Sequence, residues 1–310
     1  MPSARIVPRG LLPLLALLPL LPLASQEPHR AILRDKLRAD LEAIAEDFDG
    51  VLGAQIVDLT DSTTVGVNQR LVFPQGSAIK IPILIEVFRQ AERRPGMLQE
   101  RRPVTRAAQV GGSGVIQYFG DGSSTLSLED LAVLMITLSD NTATNVLIDA
   151  VGMNAINQTL ADMGFRETRL QRKMIQPEAS LRGEENLSTP AEAAEVMTRL
   201  ARCDLPVGQA SCRRITEILE IPKGGAVREP VPGSVRIAFK PGTLEGVATV
   251  WAYVELPDRP YVVVVMTNYG GNGDEAIRMV SEVAYGYFAK LARATPHGTR
   301  VPPPVIRRRP

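Results

Sequence analysis

Apolar residues recur at three- and four-residue intervals between residues 29 and 48, at Ile32, Leu33, Leu37, Leu41, Ile44, Ala45 and Phe48. That period predicts a helix ending at Asp49-Gly50. The pattern then changes: Val51 to Leu59 and Thr63 to Asn68 read as short strands, separated by Thr60-Asp61-Ser62 as a hairpin turn. After Pro74-Gln75-Gly76, residues Ser77 to Arg94 return to helical spacing, with Ile81, Leu84, Ile85 and Phe88 on the apolar face. Ser127-Leu-Glu-Asp130 has the form of a capping box and opens a helix to Thr137. Another helix runs from Thr142 to Val151-Gly152, leaving the polar Ser139-Asp140-Asn141 at the junction. Further helices are predicted over 154–163, 189–202 and 211–220. In the last third, Val235 to Phe239, Val247 to Leu256 and Tyr261 to Thr267 read as strands, and a final helix over 273–293 follows Gly270-Gly271.

Strands at both ends of the chain around a helical block predict a mixed α/β (α+β) fold. One antiparallel sheet, flanked by helices, is assembled from N- and C-terminal segments, and an all-helical lobe is set beside it. The cleft between sheet and lobe is the natural place for a site. This domain is expected to cover residues 26–293. In residues 1–25, Arg5 and Arg9 precede the apolar run Leu11 to Leu23 and then Ala24-Ser25, the order of a cleaved signal peptide. Three prolines in that run argue against a spanning helix. The mature protein is therefore expected to be exported, periplasmic or secreted, with no stable membrane span. Export permits a local bridge between Cys203 and Cys212, the alternative being two unpaired buried thiols. Residues 294–310, rich in Pro and Arg, are expected to form a disordered basic tail.

Charge changes the picture little at first. The 310 residues hold 35 Lys and Arg against 34 Asp and Glu, which gives no reason to expect a nucleic-acid partner. Setting aside Arg5, Arg9 and the four arginines of the tail leaves the core acidic, so its few lysines stand out. Histidine usage excludes more. His29 and His297 lie near the two ends, and no imidazole lies between them. A Ser-His-Asp triad, a Cys-His pair, an HExxH zinc helix and a His-rich metal cage all need one near the chemistry. No metal and no cofactor are expected, and a hydrolytic base here must be a lysine, a carboxylate, or a water held by one of them.

Three short motifs supply such chemistry. Ser77-Ala78-Ile79-Lys80 sets a hydroxyl and an amine three residues apart, within reach of each other on one helical face. Lys80 is one of only six lysines, and it is followed by Ile81-Pro82-Ile83-Leu84-Ile85, which argues against a solvated position. A lysine can lose its proton where an arginine cannot. The helix start at Ser77 also offers backbone N–H groups to a developing oxyanion. Ser139-Asp140-Asn141 places polar side chains where the backbone bends; the structural alternative is a helix junction with local caps. Lys240-Pro241-Gly242-Thr243, at the end of a predicted strand, presents a cation and a close-approach backbone suited to a carboxylate-bearing substrate, or simply a strand-ending turn.

In this order and at these separations the three motifs resemble the class A serine β-lactamases and the penicillin-binding proteins, defined by Ser-x-x-Lys, Ser-Asp-Asn and Lys-Thr-Gly. Phe73-Pro74, the stretch from Ser139 to Asn145 continuing into Leu147, Thr168-Arg-Leu170 and Ser188-Thr-Pro190 extend the resemblance over about residues 30 to 292. It implies Ser77 as the acylated nucleophile, Lys80 as its proton acceptor, and Ser139 as proton shuttle to the leaving nitrogen. It implies Asn141 on the substrate amide and Lys240 and Gly242 at the substrate carboxylate edge. The backbone N–H groups of Ser77 and Thr243 would form the oxyanion hole. The implied protein is a monomeric β-lactamase-like serine hydrolase acting on a small-molecule substrate.

Three departures bear on that reading. Pro241 removes the hydroxyl that normally helps to bind the substrate carboxylate, and Thr243 is the available substitute. The family's deacylating glutamate is missing: counting on from Leu170 places Met174 there, whereas aligning Pro177-Glu178 places Gln176 there and Ser180 where an Asn is usual. Neither Met nor Gln is a base, which leaves Glu178 or Glu167 as the candidate. At the cleft rim, Gly111-Gly112-Ser113-Gly114 replaces an aromatic and predicts an open, mobile wall. The alternatives to a β-lactamase are a D-alanyl peptidase or esterase of the same fold, or a β-lactam or cell-wall binding protein without turnover.

Overall fold

The structure, a computed structural model, describes residues 27–295 and 297–300. The signal-peptide segment lies outside the described residues. Helix α1 (Glu27–Asp47) leads into β1 (Val51–Asp58) and β2 (Thr64–Val67), and the two-residue strand β3 (Phe73–Pro74) precedes α2 (Lys80–Arg93). A helical region follows: β4 (Arg101–Pro103) and β5 (Thr125–Ser127) form a small ribbon before α3 (Leu128–Thr137), α4 (Asn141–Val151), α5 (Met153–Asp162) and α6 (Pro177–Leu181). Then β6 (Leu187–Ser188) pairs with β3, and α7 (Pro190–Arg202) and α8 (Gln209–Glu220) close the region. The chain finishes with β7 (Arg236–Leu244), β8 (Val247–Glu255), β9 (Tyr261–Asn268) and α9 (Gly273–Leu291).

The main sheet has the order β2-β1-β9-β8-β7, all antiparallel, so the N-terminal hairpin joins the C-terminal strands through β1 and β9. Their register runs from Val51 opposite Asn268 to Asp58 opposite Tyr261. Side chains of a strand alternate between faces. In β9 this sends Val262, Val264 and Met266 into the core shared with the helical lobe, and Tyr261, Val263 and Val265 into a second core under α1 and α9. Because both faces are covered, the strand reads as a continuous apolar run. Tyr261 stacks on Phe288 of α9 with ring centroids 4.2 Å apart.

Two expectations need revision. β7 does not end at Phe239 but continues to Leu244, pairing through Pro241 and Gly242 with Val250 and Thr249. Pro and Gly read as a turn in the sequence, yet β7 is an edge strand, where a missing N–H is tolerated. The first residues of the expected tail are also ordered: Ala294 bridges Arg300, and Thr295 N–H donates to Thr299 O at 2.7 Å. Residues 301–310 lie outside the described residues. Among the described residues no helix is long and apolar enough to cross a membrane.

Cys203, the left-handed C-cap of α7, is disulfide-bonded to Cys212 in α8, nine residues on. The bridge fastens two helices that pack under the sheet. Replacing both cysteines by alanine is expected to lower the unfolding free energy by about 2–3 kcal/mol, the entropy of a loop this short, as read by denaturant titration.

Candidate active site

The turn that carries Ser77 begins with an unexpected residue. Gln75 is fully buried; its Nε2 donates to Phe73 O at 2.8 Å and Met266 Sδ at 3.2 Å, while its Oε1 accepts from Trp251 Nε1 at 2.9 Å. Its carbonyl accepts from Thr249 Oγ1 at 2.8 Å and from Ala78 N–H at 3.0 Å. Thus pinned to β8 and β9, the chain enters a tight 3-10 turn, Gly76–Ile79, before α2 starts at Lys80. The turn, not the α-helix predicted to begin at Ser77, carries the serine. In a 3-10 turn positions i and i+3 eclipse, which sets Ser77 over Lys80. Sequence reasoning passed over Gln75 and Trp251. The available signal was a lone Trp inside a predicted core strand, since a buried indole N–H needs an acceptor.

β7 passes this turn at backbone contact distance. A Cβ on Gly242 would lie 2.3 Å from Gln75 O and 2.7 Å from Ser77 N, and one on Gly76 would lie 2.8 Å from Thr243 N. Gly76 also has φ +49°. Only glycines permit the approach that brings the Ser77 and Thr243 amides to one side of the cavity.

Ser139 sits between α3 and α4 in a left-handed conformation, φ +54°, unusual for a residue with a side chain. Asp140 holds that bend. Its Oδ1 caps α4 by accepting from Ala143 N–H at 2.9 Å, and its Oδ2 accepts from the N–H groups of Val115 and Ile116 at 2.7 and 2.9 Å. The bend aims Ser139 Oγ at Ser77 Oγ, to which it donates at 2.7 Å. Lys80 Nζ and Lys240 Nζ both donate to Ser139 Oγ, each at 3.1 Å.

Lys80 therefore does not spend its hydrogens on Ser77 directly. It donates to Ser139 O at 2.7 Å, Ser139 Oγ and Asn141 Oδ1 at 3.0 Å, and Ser77 is reached through Ser139. Lys80 is 0% exposed. Burial pushes its amine down to about 7, against a smaller opposing pull from the Asp140 carboxylate. Lys240, 2% exposed, also donates to Pro241 O at 2.9 Å. Burial, then the charges of Lys80 and Lys223, push its amine well below the usual lysine range.

Ser77 opens onto a cavity of about 420 Å³ whose wall also includes Asn141, Thr243, Met174, Gln176 and Arg172. Met174 is held through its backbone: its N–H donates to Asn145 Oδ1 at 2.8 Å, and Asn145 Nδ2 donates to its carbonyl at 3.1 Å. Glu178 is not brought to the site; Pro177 starts α6, Ala179 turns inward and Glu178 faces solvent. Glu167 is not part of the wall either, and its side chain lies near Arg169. The carboxylate that does line the cavity is Glu185, which sequence reasoning missed; its Oε2 accepts from Arg172 Nη2 at 2.7 Å and Nε at 3.2 Å. The glycine-rich rim is not loose as expected. The carbonyls of Gly111, Gly112, Ser113 and Gly114 all accept hydrogen bonds, from Asn141 or from Gln117.

The profile of the β-lactamase enzyme family matches residues 36–288. A β-lactamase of Stenotrophomonas maltophilia is 28% identical over 163 residues, 52% of this chain and 53% of that protein, so the chain spans about half the length of this curated relative. Among solved structures, a β-lactamase from Sphaerobacter thermophilus DSM 20745 is 32% identical with a TM-score of 0.75, covering 82% of this chain and 97% of that one. A mutant of PBP-A, solved as its acyl-enzyme complex with penicillin G, is 26% identical with a TM-score of 0.75, covering 84% and 97%.

Trp251→Phe leaves Gln75 Oε1 buried without a donor. It is expected to lower unfolding free energy by about 1–3 kcal/mol, measured by urea titration, with the sheet retained by circular dichroism.

Proposed function

The chain belongs to the β-lactamase enzyme family, and on that premise we propose that it is a serine hydrolase in which β-lactam rings are opened through an acyl-Ser77 intermediate. The observation that carries the reading is the convergence of Ser77, Lys80 and Lys240 on the single hydroxyl of Ser139. Ser77 Oγ attacks the lactam carbonyl, the new Oγ–C bond forms and the C–N bond breaks. Lys80, with an amine near neutrality, takes the serine proton by way of Ser139. Ser139 returns a proton to the departing nitrogen, and Lys240 holds Ser139 in line. The Ser77 and Thr243 amides receive the oxyanion, and Asn141 orients the substrate amide. Residues 1–25 extend the proposal to export, with a periplasmic or secreted monomer acting on small molecules.

The second half of the cycle is less well provided. The loop offers Met174 to the cavity, and Glu185 is engaged by Arg172, so no wall carboxylate stands free to activate water. Acylation is therefore fast relative to deacylation. That same observation favours a second reading, a D-alanyl peptidase or esterase of this fold, or a protein that acylates once.

Mixing the protein with penicillin while following intact mass and drug together tests both. A Ser77 adduct that accumulates with slow drug loss is the expected outcome; steady drug loss with no adduct would exclude slow deacylation, and the absence of both adduct and drug loss would remove the reading that Ser77 opens β-lactams. Ser77→Ala is expected to abolish the adduct, and Lys80→Ala to slow its formation about 10²- to 10⁴-fold, the usual worth of a positioned base. Since Lys80 acts when neutral and its amine lies at about 7, the acylation rate should rise with pH through a midpoint near 7 and level off above it. A rate flat from pH 5 to 9 would assign the base elsewhere.

A further inference from the structure

We propose that the chain holds a second site, for a small oxyanion of the size of inorganic phosphate, in a cavity between α7 and the end of the sheet formed by β1 and β2. The inference does not depend on the acyl-Ser77 reading. This cavity shares no lining residue with the one onto which Ser77 opens.

Small residues make the space. Gln55 and Val57 line it from β1, while Ala191 and Ala194 line it from α7 and leave a cavity of about 160 Å³. Sites for drug-sized ligands have roughly 300–1,000 Å³, and one water takes about 30 Å³, so the occupant has only a handful of heavy atoms.

Polar groups of the wall lack partners. Gln55 is 8% exposed, yet its side-chain amide makes no hydrogen bond to the described residues. Its Oε1 lies over Gly66, at 2.7 Å from where a Cβ would stand, so only a residue without a side chain leaves it this place. Thr198 is 5% exposed, and its Oγ1 has no partner among the described residues either. Leaving a buried polar group unpaired is costly, and two of them on one small cavity point to a ligand that bonds there.

Charge identifies the ligand. Arg202 and Glu195 are the charged residues of the wall. Glu195 Oε1 accepts from Arg199 Nε at 2.8 Å, which offsets its charge, whereas Arg202 makes no ion pair among the described residues. Arg202 Nη2 donates to Ser62 Oγ at 2.9 Å, across the mouth of the cavity, and its other N–H groups remain for a ligand. With the Gln55 amide N–H groups and the Thr64 and Thr198 hydroxyls, they form the set of donors that replaces the hydration of an oxyanion. Phosphate suits the set best, because its protonated oxygen also donates to Gln55 Oε1. Once bound, it ties the hairpin turn at Ser62 to the last turn of α7, beside the disulfide at Cys203.

The test is thermal unfolding of the protein in rising inorganic phosphate, against chloride at matched ionic strength, for the wild type, Arg202→Gln and Gln55→Leu. A ligand that binds the folded state alone raises Tm. The expected rise in the wild type is saturable and reaches about 5 °C at phosphate roughly a hundredfold above its Kd. Both variants are expected to lose it; Arg202 is exposed, so its variant decides the matter should Gln55→Leu fail to fold. No rise in the wild type overturns the proposal. So does a rise of equal size in Arg202→Gln, which would be the general exclusion of phosphate from protein surfaces.

Discussion

Two lysine amines are buried around one serine hydroxyl, and most of the site is arranged to make that tolerable. An ammonium removed from water is costly unless it is paired or loses its proton. Here Asp140 is the anion that supports Lys80, and its oxygens are largely occupied by backbone N–H groups. Burial outweighs that support and lowers both amines, which on the proposed reading supplies a base near neutral pH in a core without an imidazole.

The arrangement depends on backbone placed with little latitude. Ser139 reaches Ser77 because Asp140 locks a left-handed bend, and β7 reaches the Ser77 turn because Gly242 and Gly76 have no side chains to intervene. Gln75 and Trp251 fasten that turn to the sheet from beneath, across the same face of β8 that carries Trp251 opposite Lys240. The chemistry thus sits where three segments distant in sequence are held by polar contacts, while the two apolar cores hold the sheet.

Much of this was legible beforehand, for identifiable reasons. Hydrophobic period located the helices and the strands of the sheet, and the capping box of Ser127 and Asp130 marked the start of α3. Ser77, Lys80, Ser139, Asn141, Lys240 and Thr243 could be singled out because they occupy short motifs of defined chemistry. What escaped were features set by tertiary contact. The continuation of β7 through Pro241 depends on its being an edge strand, which local sequence does not reveal. Gln75 finds its partner 176 positions away. The outward turn of Glu178 and the capture of Glu185 by Arg172 follow from the path of one loop, which has no period to read.

Pro241 has one more effect, on the company the protein keeps. β7 closes the sheet on one side and has no partner strand beyond it. A free edge is a template on which another chain can zip itself by backbone hydrogen bonding. Proline in the middle of that edge, flanked by the buried Lys240 and by Gly242, against which the Ser77 turn is closely apposed, takes one donor out of the strand. The proline at this position thus helps to guard the open side of the sheet against self-association.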